Sequence, residues 1–309
     1  MLDVSSPAVS VAIPTLGRER VLLDTIGHVL RLEPQPAELL VVDQTPEHDP
    51  ATTRQLKQWE AAGVIRWLRR DRPSIPAAMN QALLESRSPV VLFLDDDLIP
   101  GSHLIAAHQE QYADDRVWAV VGQVLQPGQE PTSSSGRQRG TGLRRDLEFN
   151  FGGTKASTVA NVMAGNLSVR RDFALQVGGF DENFVGVAYR FETEFCRRLL
   201  KGGGLVIFEP GASIRHLAAA SGGTRAYGRH LTSANPAHSV GDYYFAMLQG
   251  TPGEAFKYSL GRLSRSVRTR FHLTHPWWIP VKLVGELRGL CWAWQLKRRG
   301  PTYVSERTS

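Results

Sequence analysis

The chain has 309 residues, 42% of them hydrophobic and 21% charged, with a formal net charge of +6; this is the balance of a globular protein large enough for one domain and an appendage, and it excludes a disordered chain. Cys196 and Cys291 are the only cysteines, which excludes a disulfide framework and a cysteine-rich zinc site. The basic excess is local: residues 240–309 hold 11 basic and 4 acidic side chains against 25 and 26 before them, so the body is near neutral and no nucleic-acid partner is expected.

The opening residues, Met1 to Pro7, contain no basic segment leading into a long apolar one, and no run approaches the roughly 20 apolar residues of a spanning helix. A cytoplasmic protein is expected. An apolar strand over 9–13 is closed by Pro14 and Thr15, and a helix over 18–30 places Leu22, Ile26 and Val29 on one side. A strand over 38–43 ends in Asp43, followed by a helix over 51–61, a strand over 64–69, a helix over 75–86 and a strand over 89–95. Near-continuous apolar strands separated by helices predict a parallel sheet covered on both faces. Ligands of such sheets gather beyond the carboxyl ends of the strands, which singles out Pro14 and Thr15, Asp43 and Gln44, residues 69–72, and residues 95–97. No Gly-x-Gly-x-x-Gly follows the first strand, so a Rossmann dehydrogenase is excluded.

Residues 126–142, rich in Gly, Ser, Pro and Arg, read as a long surface loop. Order resumes over 160–169, with helices over 171–177 and 189–201, the second stopped by three glycines, and short strands over 205–208 and 212–216. A Gly-rich loop over 221–228 leads into a basic, Trp-rich helical stretch. No internal repeat is present.

Three groups of residues carry chemistry. Asp95, Asp96 and Asp97 close an apolar strand, where three adjacent carboxylates repel one another and a divalent cation would relieve them. Alternation along the strand lets Asp95 and Asp97 share a face while Asp96 points away; a solvated, helix-capping acidic turn is the competing reading. His216 ends a later strand and, taken alone, is more readily structural than a ligand. Glu192 and Glu194 open a helix, where acids either complement the helix dipole or supply a general base.

Taken in order, these segments resemble an inverting glycosyltransferase of family 2 with the GT-A fold, over roughly residues 8–230. The opening strand with Pro14 and Thr15, the strand ending in Asp43, the helix around Asn80, the Phe93 to Asp97 DxD segment, the Gly165-Asn166 and Val177 to Glu182 segments, and the Phe191 to Leu199 helix all have counterparts. The resemblance implies an α/β GT-A fold: a Rossmann-like, mostly parallel sheet flanked by helices, with a catalytic domain over 1–239 and a helical extension over 240–309. It implies Mn2+ or Mg2+ on Asp95, Asp97 and His216. Pro14, Thr15, Asp43, Arg72, Asn80, Asp95, Asp96 and Arg225 would contact a nucleotide-diphosphate sugar, a UDP-sugar before a GDP- or dTDP-sugar. Gly165, Asn166 and Asp181 would lie on the acceptor side, the acceptor being a glycan or lipid-linked. Glu192 aligns with the family's catalytic aspartate, with Glu194 in reserve; Phe191 and Glu192 depart from the usual Glu-Asp pair. Polysaccharide, glycan or glycolipid biosynthesis follows. The alternatives are a non-catalytic nucleotide-binding or membrane-docked scaffold, and a nucleotidyltransferase.

In the extension, Leu283, Leu287, Leu290 and Trp294 recur at helical spacing among Lys282, Arg288 and Lys297. Such a helix suits an anionic membrane surface, hence a peripheral position at the cell membrane, or else packs on the body or on a second subunit. An oligomer is compatible with either.

Overall fold

The computed structural model describes residues 6–133 and 140–304. The first five residues, on which the expectation about a leader rests, and the centre of the 126–142 loop lie outside the described residues. The chain begins β1 (Val9–Thr15), α1 (Arg20–Val29), β2 (Glu38–Asp43), α2 (Pro50–Ala61), β3 (Arg66–Arg69), α3 (Ile75–Glu85) and β4 (Val90–Leu94), in the predicted order. Local chemistry sets the helix starts. Asp49 accepts hydrogen bonds from the backbone N–H of Ala51 and Thr52 at 2.8 Å, with Pro50 in the first turn, and Ser74 caps α3 in the same way ahead of Pro76. β4 is buried along its whole length, which is why it reads as an unbroken apolar run rather than an alternating one.

Next come β5 (Leu98–Pro100), α4 (Leu104–Gln111), β6 (Val117–Leu125), β7 (Ser157–Thr158), β8 (Asn166–Arg170), α5 (Arg171–Gln176), α6 (Phe191–Lys201) and β9 (Leu205–His216). Among the described residues the nine strands form one sheet in the order β3-β2-β1-β4-β8-β6-β9-β5, with β7 on β9. β1 to β4 pair in parallel, whereas β8 runs antiparallel to both β4 and β6; the sheet is parallel through its first four strands and mixed beyond them. The two short strands expected over 205–216 are one strand. A register shift between Gly122 and Gln123 bends β9 along β6 without breaking it. Gly122 permits this, since a Cβ there would lie 2.1 Å from the Ala212 carbonyl oxygen.

Phe180 joins the two halves of the fold. Its ring lies 5.6 Å from Phe93 on β4, and 5.6 Å and 4.2 Å from Phe191 and Phe195 on α6. Burying each such ring contributes about 2–3 kcal/mol, and the cluster fixes the strand that ends in the aspartates relative to the helix that carries Glu192.

The remaining helices are α7 (Val240–Gln249), α8 (Pro252–Val267), α9 (Arg270–Thr274) and α10 (Ile279–Arg299). The expected boundary at 239/240 runs through a continuous core, because Val240, Tyr243, Tyr244 and Phe245 of α7 are buried within it. α10 packs on α7 and on the segment before it, with Gly285, Gly289, Ala293 and Leu296 buried. The approach is close enough that a Cβ on Gly289 would sit 2.0 Å from Ser239 Oγ. Glycines make the closest approach, and of the leucine stripe Leu290 packs against the core. Leu287 and Trp294 stay 53% and 54% exposed. Among the described residues no helix is long and apolar enough to cross a membrane.

Candidate active site

The carboxyl ends of β1, β2 and β4 open into a cleft of about 610 Å3. Its floor is Asp95, Asp96 and Asp97, and its far wall is formed by Tyr189, His216 and Arg225. The alternation expected for the triplet is present. Asp96 turns inward, where its carboxylate accepts from Thr15 Oγ1 at 2.7 Å and Arg18 Nε at 3.0 Å. Asp95 and Asp97 face His216, whose Nε2 lies 3.0 Å from Asp97 Oδ1 and 3.9 Å from Asp95 Oδ2. One ligand atom from each of these three residues falls within 4.8 Å of the others, the one such grouping among the described residues. Two carboxylate oxygens and an imidazole nitrogen open to a cleft fit Mn2+ or Mg2+ with positions left for substrate oxygens.

The electrostatics follow from burial and neighbours. Burial, and then the adjacent Asp96 charge, push Asp95 up to about 6. Burial alone would also raise Asp97, but hydrogen bonds from His216 and from the Ala219 backbone N–H hold it below the ordinary carboxylate range. The hydrogen bond to Asp97 raises His216 in turn. Gly165 supports the site from behind. Its carbonyl accepts from the Asp95 N–H at 3.2 Å, and a Cβ there would lie 2.1 Å from Asp95 Oδ2.

α6, which follows the cleft residue Tyr189, carries both candidate bases; neither lines the cleft, and their surroundings differ. Glu194 is salt-bridged to Arg198, with Nε 2.8 Å from Oε1, and also accepts from Gln249; its oxygens are spoken for. Glu192 Oε2 is buried with no hydrogen-bond partner. Burial raises its pKa to about 7, opposed by a hydrogen bond from its own backbone N–H and by the Arg190 charge, with the Asp95 charge adding. Arg190, just before α6, has a left-handed backbone (φ 75°), a conformation that costs a non-glycine residue about 1–2 kcal/mol. Its guanidinium is held by Asp242 of α7 at 3.3 Å and lies over the Tyr189 ring. A helix of the extension thus anchors the residue beside Glu192.

Several residues expected in the site are elsewhere. Asp43 is buried beside the cleft, with its oxygens taken by the Thr45 N–H, His48 Nε2 and Trp67 Nε1, each at 2.8 Å; its neighbour Gln44 reaches the cleft instead. Asn80 pins the turn before α6 by bonding both the carbonyl and the N–H of Phe180. Asn166 bonds His108 and the carbonyls of Gln123 and Ala212. Asp181 accepts from Tyr244 Oη and from the N–H of Asn183 and Thr302. These side chains bond within the fold, and none of the four lines the cleft. Arg72 is exposed and does not line the cleft. Pro14, Thr15, Asp96 and Arg225 do.

Sequence reasoning missed Arg18, Tyr189 and Arg190. Arg18 is 5% exposed, bonds Asp96 and Asp97 and reaches the Ser221 carbonyl, so it ties the acidic triplet to the Gly-rich loop. Its signal was its place three residues beyond the strand-ending Thr15, in the turn that the strand-end rule already marked.

Sheet order and the acidic triplet at its strand ends define the class as that of GT-A glycosyltransferases. The chain belongs to glycosyl transferase family 2, whose family model matches residues 10–177. Among solved structures it is similar to GalNAc-T7 with UDP, GalNAc and Mn2+ (15% identity, TM-score 0.57, covering 82% of this chain and 55% of that one). It is also similar to the mannosyltransferase PcManGT from Pyrobaculum calidifontis with GDP-Man and Mn2+ (18%, 0.55, 91% and 74%) and to S. aureus TarS (11%, 0.55, 86% and 44%). At these identities what is shared is the fold, and the chain spans about half the length of the first of them. No curated protein sequence matches the chain.

Proposed function

We propose that this chain is an inverting, metal-dependent glycosyltransferase that moves a sugar from a nucleoside-diphosphate sugar to an acceptor hydroxyl. The observation that carries the reading is the pairing of the Asp95, Asp97 and His216 donor set with Glu192, which keeps one buried oxygen without a partner and feels the charge of Asp95. Bound by that set, a divalent cation would neutralise charge on the departing diphosphate. Arg18 and Thr15 hold Asp96 turned away and so keep Asp95 and Asp97 aimed into the cleft. Glu192 Oε2 accepts the acceptor's hydroxyl proton as that oxygen bonds to the anomeric carbon. The bond from this carbon to the diphosphate oxygen breaks on the opposite face, and the nucleoside diphosphate leaves with its electron pair. A pKa near 7 suits a base that must be free to take a proton at neutral pH. UDP and GDP-Man in the structures named above make UDP-sugars and GDP-sugars the first donors to try.

The test is a thermal-shift screen of nucleotide sugars with and without Mn2+, followed by transfer assays of Glu192→Gln with the stabilising donor. A donor that binds the native state raises its Tm. The variant should retain that shift while losing transfer by about 100-fold or more. Full activity in the variant removes Glu192 from the mechanism, and turnover in excess chelator removes the cation.

We further propose that the extension rests on an anionic membrane. Phe256 and Leu260 on α8 and Leu287 and Trp294 on α10 are exposed around an apolar groove of about 670 Å3, with Lys257, Lys297, Arg298 and Arg299 exposed nearby. Wild-type protein should cosediment with phosphatidylserine vesicles, and Leu287→Ser with Trp294→Ser should not. Equal sedimentation of the two sinks the idea.

A further inference from the structure

A second cleft, of about 520 Å3, opens between the catalytic body and the C-terminal helices and meets the first at Tyr189 and His230. Five cationic side chains line it (Arg144, Arg190, Arg262, Arg265 and Lys282) against three carboxylates, Glu148, Asp242 and Glu286. The two buried carboxylates are already saturated. Asp242 takes Arg262 Nη1 at 2.5 Å, Arg190 Nε at 3.3 Å and Tyr258 Oη at 2.6 Å. Glu286 takes Arg262 Nε at 3.0 Å, Lys282 Nζ at 2.9 Å and Tyr243 Oη at 2.8 Å. Glu148 sits exposed at the rim. Arg144 and Arg265 form no ion pair and donate no side-chain hydrogen bond among the described residues, yet they converge. Arg144 Nη2 and Arg265 Nη1 lie 3.2 and 3.3 Å from the point where a Cβ on Gly261 would stand.

We infer that this cleft is the acceptor subsite and that it recognises a phosphate group on the acceptor, an inference that rests on the transferase reading above. Two exposed guanidinia without an ion-pair partner among the described residues converge over a glycine, and an anion between them would offset their mutual repulsion. Planar forks of N–H donors match phosphate oxygens in pairs, and two uncompensated positive charges match a phosphomonoester, which carries about −1.5 to −2 at neutral pH, better than a singly charged carboxylate. The geometry also places the anion correctly for transfer. The cleft is continuous with the donor cleft at Tyr189, and Arg190, which lines it, is the residue next to the Glu192 helix. An acceptor anchored by its phosphate on Arg144 and Arg265 can extend past Arg190 and present a hydroxyl to Glu192.

The probes are glycerol 3-phosphate, phosphatidic acid in nanodiscs and glucuronate. Each is titrated calorimetrically into the full chain with a chelator present, so that no metal in the donor cleft can bind the anion. Glycerol 3-phosphate should bind wild-type protein and bind the exposed-residue variant Arg144→Gln/Arg265→Gln about tenfold or more weakly, while Glu192→Gln binds as wild type does. The phosphatidic acid arm separates the sources. Binding that depends on both arginines and is stronger in nanodiscs identifies a lipid phosphate, and binding confined to the soluble probe identifies a water-soluble phosphate. Equal binding by wild type and the double variant, equal binding of glucuronate and phosphate, or no binding of either phosphate probe overturns the inference. None of these outcomes touches the Glu192 assay, so failure here and failure of the transferase reading are distinguishable.

Discussion

Arg198 reaches Glu194 from one turn away and satisfies both of its oxygens, while Glu192, two residues earlier on α6, keeps a buried oxygen without a partner. The pH behaviour follows from that difference. A carboxyl raised to about 7 by burial is mostly protonated below neutrality, so transfer should rise with pH through about 7 and level off above it. Glu192→Gln should remove the dependence along with the activity. The stability sign is the reverse. The folded state keeps a proton that the unfolded chain has lost from about 4.5 upward, so the carboxyl destabilises the fold progressively as pH rises through that window. Glu192→Gln should therefore melt above wild type at pH 8 and level with it at pH 4; equal Tm values at both would show that the carboxyl is solvated. Gly165 gives a second test at this scale. In Gly165→Ala the new methyl collides with Asp95 Oδ2, so the Mn2+ concentration needed for half-maximal activity should rise about 10-fold or more, with circular dichroism unchanged. An unaltered Mn2+ titration would remove Asp95 from the cation site.

Among the elements, α10 shows how a helix is misread from its apolar stripe. Its leucines and Trp294 repeat at helical spacing, yet the buried face carries Lys282, Gly285, Glu286, Gly289 and Ala293. Two glycines let the backbone settle on Ser239 and the segment before it, and the buried charges are neutralised in the network with Arg262 and Asp242. Periodicity finds apolar faces; it does not find faces built from small residues and ion pairs. Removing one charge from this network leaves the others buried and uncompensated, so Glu286→Ala should destabilise the protein by about 3–5 kcal/mol in urea unfolding. A loss under 1 kcal/mol would mean that Arg262 and Lys282 find water or new partners.

For the molecule as a whole, the catalytic body and the extension depend on one another. Tyr244 bonds Asp181, Asp242 holds Arg190, and the Val304 N–H donates to the Gly178 carbonyl. Deleting residues 240–309 removes the buried side chains of Val240, Tyr243, Tyr244, Phe245, Tyr258 and Leu296 from the core, each worth about 1.5–3 kcal/mol, so the shortened chain should fail to fold or should aggregate. A soluble, cooperatively melting product would instead support the boundary at 239. For this reason point substitutions, not truncation, are the sound test of membrane binding.

The sequence by itself determined the parallel β1 to β4 half, the acidic triplet at its edge and the divided facing of Asp95 and Asp96. These depend on strand periodicity and on chemistry carried within a few adjacent residues. Tertiary structure decided what depends on contacts between distant segments. It chose which of two neighbouring glutamates is paired, put Gln44 and not Asp43 in the cleft, and gave the buried Asn166 and Asp181 structural partners. It also brought Arg144 and Arg265, more than a hundred residues apart in sequence, to one glycine. A polar side chain announces that it needs a partner, but only the folded chain settles whether that partner is its own backbone or a substrate.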